Sequence, residues 1–518
     1  MCRCDLHGSC FGCSHAVSRR RFIKGCGATM AAVGGLTSAA SGAEESQGKR
    51  VRVALVFLSK PGSSWPYPGF DVQTRQNEVI GCLQEGCPQI EFVPTVIRDP
   101  GDVQKAIALK DEVDGYLVYI VTLNWNLQRT LTQIGRLEKP MLVADEYLGG
   151  SGVFLRGYSD LCRQDLPAAG VASTRPEDLV LVARQFADVK QPDVTPASFA
   201  ERCRQVYRKT FATGEMECLD DPLALTDVGK CLERFKKSRF LIVGAGPPGR
   251  VQDFLGAEGI HVGFDEFKAV YEKVDQDEAT EWARRWSQQA DKVVEPTPDW
   301  IHKAGAVYLA TLELLEKHGT DSVTMNCLGG FGRGLLPAYP CLGFMQILDD
   351  GGQGVCEAMP DDTLSMLMAR ILTGRPGYVS DPVLDTSKNQ IVYAHCVATT
   401  KVFGPQGDAN MFRIRTLHNR DPRGTCAQSF LPPGYMTTSF RTNFARKQMV
   451  IHRAKAVGNL DSERGCRTQL VGEVAGDIGK LFDQWDHFSW HRVTVFGDVM
   501  EPLVEFGKAL GLETVVEV

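Results

Sequence analysis

Two carboxylates and two histidines in the second half of this chain are of the types that proton transfer beside a metal ion requires. Glu357 stands in Cys356-Glu-Ala358 and Asp381 follows beyond Gly374-Arg-Pro376. Between them Leu364, Leu367, Met368, Ile371 and Leu372 recur at helical spacing. Pro360 sits where a first-turn proline is tolerated, Asp361 and Asp362 suit the positive helix end, and Gly374 with Pro376 stops the helix. About fourteen helical residues advance ~21 Å, and the stretch from Arg375 to Asp381, if extended, covers ~23 Å in return. The two carboxylates can therefore meet. Paired carboxylates are the hard oxygen ligands that Mg²⁺ and Mn²⁺ prefer, and one of them can also act as a base. A third ligand is on offer near the carboxyl end, where His487 and His491 flank Phe-Ser-Trp. His491 shares a strand face with Val493 and Val495, which points it inward; the alternative is a structural histidine opening a strand. His395 has the same two readings.

These residues carry a family resemblance. Pro340-Cys-Leu342, Cys356-Glu-Ala358, Leu372-Thr-Gly-Arg-Pro376, Asp381, His395-Cys396 and the late His491 with Gly497-Asp498 follow an order and spacing similar to L-fucose isomerase and its L-arabinose isomerase relatives, across roughly residues 320 to 505. The resemblance implies a Mn²⁺-dependent (or other divalent-metal) aldose–ketose isomerase with no organic cofactor. In it Glu357 and Asp381 bind metal and move the proton, His491 is the third protein ligand, and His395 occupies the place of a further metal histidine. It also implies a homo-oligomer with shared sites, acting on a small sugar. Met359 departs from the pattern, standing where the family has an acidic residue. That departure keeps a second reading open, a carbohydrate-binding protein on an isomerase scaffold without turnover.

The elements that must position these residues read as three units. Residues 49–165 alternate apolar strands, such as Val51 to Leu58 and Gly115 to Thr122, with helical patterns, which predicts an α/β domain. A second α/β domain is expected over 166–373. Both are Rossmann-like in texture. Residues 374–518 turn to short strands with frequent Gly and Pro, which predicts an antiparallel, β-barrel-like domain. Gly244-Ala-Gly-Pro-Pro-Gly249 follows a strand as a dinucleotide loop would, but Pro247 and Pro248 remove two backbone donors, so a plain loop is expected. Trp65, Trp125 and Tyr147 lie at strand ends of the first unit, where an aromatic face either stacks on a sugar or closes a core.

Ahead of these units, Ser18-Arg-Arg-Arg-Phe-Ile-Lys24 precedes a mildly apolar Gly/Ala run that ends at Ser41-Gly-Ala43. This is the pattern of a twin-arginine signal over residues 1–48, with cleavage after Ala43, a partnership with the twin-arginine translocation machinery, and a periplasmic or extracellular destination. A net charge of -6 over 518 residues argues against nucleic acid or an anionic membrane as the partner. Seventeen cysteines are present. Five of them (Cys2, Cys4, Cys10, Cys13 and Cys26) fall in the signal, and the rest are scattered singly, so free, buried thiols are expected in the mature chain. Residues 401–467 hold twelve Lys/Arg against four Asp/Glu, which suits either an anionic sugar or a face that balances acids elsewhere.

Overall fold

The computed structural model describes residues 50–518 apart from 125, 419, 420, 422 and 486–489. The twin-arginine segment, its five cysteines, Trp125 and His487 therefore lie outside the described residues.

The first sheet comprises β1 (Val51–Leu58), β2 (Ile90–Ile97), β3 (Gly115–Ile120), β4 (Met141–Asp145) and β5 (Ala168–Val171), all parallel in the order β2-β1-β3-β4-β5. Every residue of β1 except Arg52 is buried, and β3 is buried throughout. Helices on both faces leave such strands no wet side, which is why they are apolar runs and not alternations. The second sheet is built from β6 (Arg239–Val243), β7 (Val251–Phe254) and β8 (Ala257–Val262). After the short β9 (Lys292–Val293) it is completed by β10 (Ser322–Met325) and β11 (Gln353–Cys356). Its order is β11-β10-β6-β8-β7, parallel except for the β7–β8 hairpin. The Gly244–Gly249 loop runs into that hairpin instead of a helix, and the Phe264 ring fills the space a Cβ at Gly244 would need. No helix amino end follows the loop to face a phosphate.

The terminal unit contains β12 (Tyr378–Asp385), β13 (Gln390–His395), β14 (Phe412–Arg415), β15 (Cys426–Ser429), β16 (Met436–Asn443), β17 (Gln448–Asn459), β18 (Thr468–Val474), β19 (Arg492–Phe496) and β20 (Glu513–Val516). Six of these close an antiparallel barrel in the order β16-β19-β12-β13-β18-β17, with β17 returning to β16. Closure removes the sheet edges. The β14–β15 pair takes β9 as a third strand, tying the second α/β layer to the barrel. The expected α/β layers and terminal antiparallel barrel are both present.

Between the second sheet and the barrel lies the helix Pro360–Thr373. It starts on a first-turn proline and ends at Gly374, whose φ of +70° is left-handed and whose amide caps Arg370 O at 2.8 Å. One side packs on β16, β19 and β12, the other on β10 and β11. Its amino end is where the candidate site forms.

Candidate functional site

Glu357 leaves the carboxyl end of β11, the edge strand of the second sheet. The loop it sits in is pinned from β10: the Met359 amide donates to Thr324 Oγ1 at 3.2 Å, and that hydroxyl donates to Val355 O at 3.0 Å. Ala358 has a φ of +57°. A non-glycine residue held in the left-handed region costs conformational energy, and such positions concentrate at functional sites.

The other three residues come from one stretch of the barrel wall. β12 pairs with β19 up to Ser380 opposite Arg492, and with β13 from Asp381 opposite Ala394. Asp381 thus stands where one neighbour hands over to the other. His395 closes β13 and His491 directly precedes β19. Register alone therefore brings three distant residues together. A carboxylate oxygen of Asp381 and one nitrogen of each histidine all lie within 4.8 Å of one another. His491 Nε2 is 3.4 Å from Asp381 Oδ1, and the two imidazoles meet edge to face at 5.6 Å between centroids.

Burial and charge set the proton affinities here. Glu357 is held above the ordinary carboxylate range, chiefly by burial; His395 and His491 oppose the rise and Asp381 adds to it. Glu357 is therefore within electrostatic reach of all three rim residues. Burial alone would lower His491, but the carboxylates of Asp362 and Asp381 outweigh it and push the imidazole up to about 10. His395 Nδ1 is buried without a hydrogen-bond partner.

Of the residues singled out from the sequence, Asp381, His395 and His491 converge, and Glu357 lies within their electrostatic reach. Trp65 lies elsewhere. It lines a cleft of about 450 Å³ over the carboxyl ends of β1 and β3, together with Ser59, Ser63, Gln73, Arg98 and Thr122. There the chain order changes direction in the sheet, the usual place for a ligand in an open parallel sheet. The indole is only 7% exposed, with its ring 4.9 Å from that of His418.

No family model matches the chain. Among curated proteins it is similar to the sulfoquinovose isomerases of Priestia aryabhattai and Priestia megaterium. Each is 29% identical over 213 residues, covering 39% of this chain and 46% of the relative. The chain thus spans about half the length of the relatives it matches.

Two features escaped the sequence reading. Asp362, expected only to suit the helix amino end, is fully buried and accepts from His491 Nδ1 at 2.7 Å and from Arg441 Nε at 2.5 Å. A carboxylate behind an imidazole fixes which nitrogen faces the site and raises its basicity. The only signal was the second acid of the Asp361-Asp362 pair, which a helix end does not need. The other feature is the gathering of scattered thiols: the Cys327 and Cys356 sulfurs are 3.3 Å apart. The basic excess over 401–467 is largely matched by acids from other segments. Arg415 pairs with Glu295, Arg413 with Asp291, Arg464 with Glu146 and Arg453 with Asp498.

Proposed function

We propose that this chain is an exported, divalent-metal-dependent sugar isomerase interconverting an aldose and a ketose through an ene-diol. The observation that carries the reading is the convergence of Asp381, His395 and His491 ligand atoms within 4.8 Å beside the buried Glu357. Similarity to two sulfoquinovose isomerases supports the reaction class.

The donor set fits a cation. An imidazole nitrogen buried without a partner, as His395 Nδ1 is, costs about 1–3 kcal/mol, and a ligand there removes that cost. Carboxylate oxygens suit Mn²⁺, and the imidazole nitrogens complete a set that a divalent first-row ion can occupy. In this reading Asp381, His395 and His491 hold the ion together with Glu357. When bound, such an ion polarises the sugar carbonyl and the adjacent hydroxyl, lowering the cost of removing the neighbouring C–H proton. The chain's own residues do the rest. Asp362 fixes His491 so that Nε2 faces the site. Glu357, raised by burial, is a stronger base once ionised than an ordinary carboxylate and returns the proton to the adjacent carbon. Asp381 is the second carboxylate of the transfer.

The test is one preparation and one variant. Protein recovered from the periplasm with its amino terminus at Glu44 should carry a divalent ion and interconvert at least one sugar of a panel that includes sulfoquinovose, L-fucose and L-arabinose. Glu357→Gln should lower kcat by about 10²–10⁴-fold. Unchanged kcat in that variant would sink the assignment. A second reading, sugar binding without turnover, is favoured by Met359. It would be the outcome if the metal-loaded parent bound sugars and turned over none.

A further inference from the structure

Cys396, the residue after His395, points to a different chemistry. Its Sγ lies 3.9 Å from His418 Nδ1, and Cys466 Sγ lies 3.7 Å from the same nitrogen. The three ligand atoms all fall within 4.8 Å of one another. In a tetrahedral site with Zn–S near 2.3 Å and Zn–N near 2.0 Å, neighbouring ligand atoms stand roughly 3.5–3.8 Å apart. The two sulfur–nitrogen separations, 3.9 and 3.7 Å, lie within a few tenths of an ångström of that edge length. Both sulfurs belong to buried residues, each 5% exposed, and a fourth thiol, that of the fully buried Cys426, hydrogen-bonds to Cys396.

The loop that carries the histidine is held in place by a buried guanidinium. Arg467, directly after Cys466, is buried, and its Nε donates to Thr416 O at 2.8 Å while Nη2 donates to Leu417 O at 3.2 Å. These are the two carbonyls immediately before His418. Its guanidinium is fixed in turn by Glu463, 3.0 Å from Nη1. The Trp65 ring covers the imidazole from the first α/β layer. Ligands whose loop is locked by a buried guanidinium are pre-organised, as a metal site requires.

We infer that Cys396, Cys466 and His418 form a second metal site, distinct from the Asp381 cluster, that takes a soft or borderline cation such as Zn²⁺, with Cys426 beside it as a further thiol. Thiolate donors select against Mn²⁺ and Mg²⁺, and oxygen donors do not favour a soft ion. The two sites therefore differ in donor chemistry although His395 and Cys396 are consecutive residues.

The test uses Co²⁺ as an optical stand-in for Zn²⁺, added to the full-length chain purified under reducing conditions. Thiolate-to-cobalt charge-transfer absorption arises only from sulfur ligation, so an ion in the Asp381 cluster does not contribute to it. Absorption equivalent to one cobalt per chain should be lost in Cys466→Ser. It should persist in Cys231→Ser, whose thiol sits apart against Thr226 O and Ile371 O. Reading the difference between parent and variant cancels any contribution from the amino-terminal cysteines. His418→Asn, at a half-buried position, carries the same test if Cys466→Ser does not fold. Equal absorption in the parent and in a folded variant overturns the site, and so does a Cys396–Cys466 disulfide in the exported protein. Loss of the absorption with sugar turnover retained would support the second site and leave the proposed reaction standing.

Discussion

The Asp381 cluster and the Cys396 cluster leave the same barrel at consecutive residues of one strand end, yet they are built in opposite ways. Around Asp381, His395 and His491 the donors are hard or borderline, and their supports are charged: Asp362 behind His491, and Arg441 behind Asp362. Around Cys396, Cys466 and His418 the donors are soft, and the support is a guanidinium clamped on backbone carbonyls. The fold brings both sets to one place; the side-chain atoms decide which ion each prefers. A site backed by ionic pairs should be sensitive to removal of a charge. A site backed by a pinned loop should be sensitive to loss of packing.

The largest effect expected from this difference is that of Asp362→Ala. It takes the Nδ1 acceptor from His491 and the buried carboxylate from Arg441. Breaking a buried ion pair from one side costs roughly 3–5 kcal/mol, and loss of a carboxylate behind a metal histidine lowers metal affinity about 10–100-fold. Denaturant unfolding and Mn²⁺ titration calorimetry should record both, while the cobalt–thiolate absorption stays at the parental level. Parental Mn²⁺ affinity in a folded Asp362→Ala protein would break the contrast.

Acid titration sharpens it by separating ligand loss from barrel loss. Glu517, next to β20, accepts from His452 Nδ1 at 2.8 Å and from Arg492, which directly follows His491. Burial would raise this carboxyl, but Arg492 and His452 outweigh it and hold it down at about 2, against an ordinary value of 4.5. A depressed folded-state value means that stability is fully present above pH 4.5 and is lost as pH falls towards 2. The difference corresponds to roughly 3 kcal/mol. Stability measured by denaturant should therefore be insensitive to this group above pH 5 and decline below 4.5, with the decline reduced in Glu517→Gln. Metal released above pH 5 would then report on the ligands and not on the scaffold. Equal acid sensitivity in parent and Glu517→Gln would remove this separation.

What the sequence made legible was whatever rests on local pattern. The helix from Pro360 to Thr373 was readable from its proline, its two acids, its apolar spacing and the left-handed Gly374, because each acts within a turn or two. The buried strand β1 was readable because a parallel strand covered on both faces has no polar alternation. The expected return of Asp381 towards Glu357 rests on helix length and the extended stretch after it, and the inward face of His491 on strand periodicity. Contacts set by strand register were not readable. Cys396, His418 and Cys466 are separated by long stretches and meet only because β13 pairs with β18, and Cys466 lies just before β18. The Asp362–His491 bond likewise joins a helix end to a strand start far along the chain. The basic stretch 401–467 looked unbalanced because its acidic partners, Glu295, Asp291 and Glu146, belong to other layers.

Trp65 gives the smallest effect and bears on both clusters at once. Its ring packs on the His418 imidazole, and Gly465 lies beneath it, with a φ of +69° and space for a Cβ only 3.1 Å from the indole. Its edge lines the cleft over β1 and β3. An aromatic contact of this kind contributes about 0.5–1.5 kcal/mol beyond burial, so Trp65→Leu should weaken cobalt binding at the thiol cluster by about two- to tenfold. Mn²⁺ affinity at Asp381 should stay at the parental level, because nothing in that cluster touches the indole. If the indole instead serves to stack on a sugar, cobalt affinity should be unchanged and KM should rise. A fall in Mn²⁺ affinity equal to the fall in cobalt affinity would mean that the two clusters are one coupled unit, and the contrast between a charge-backed site and a packing-backed site would no longer hold.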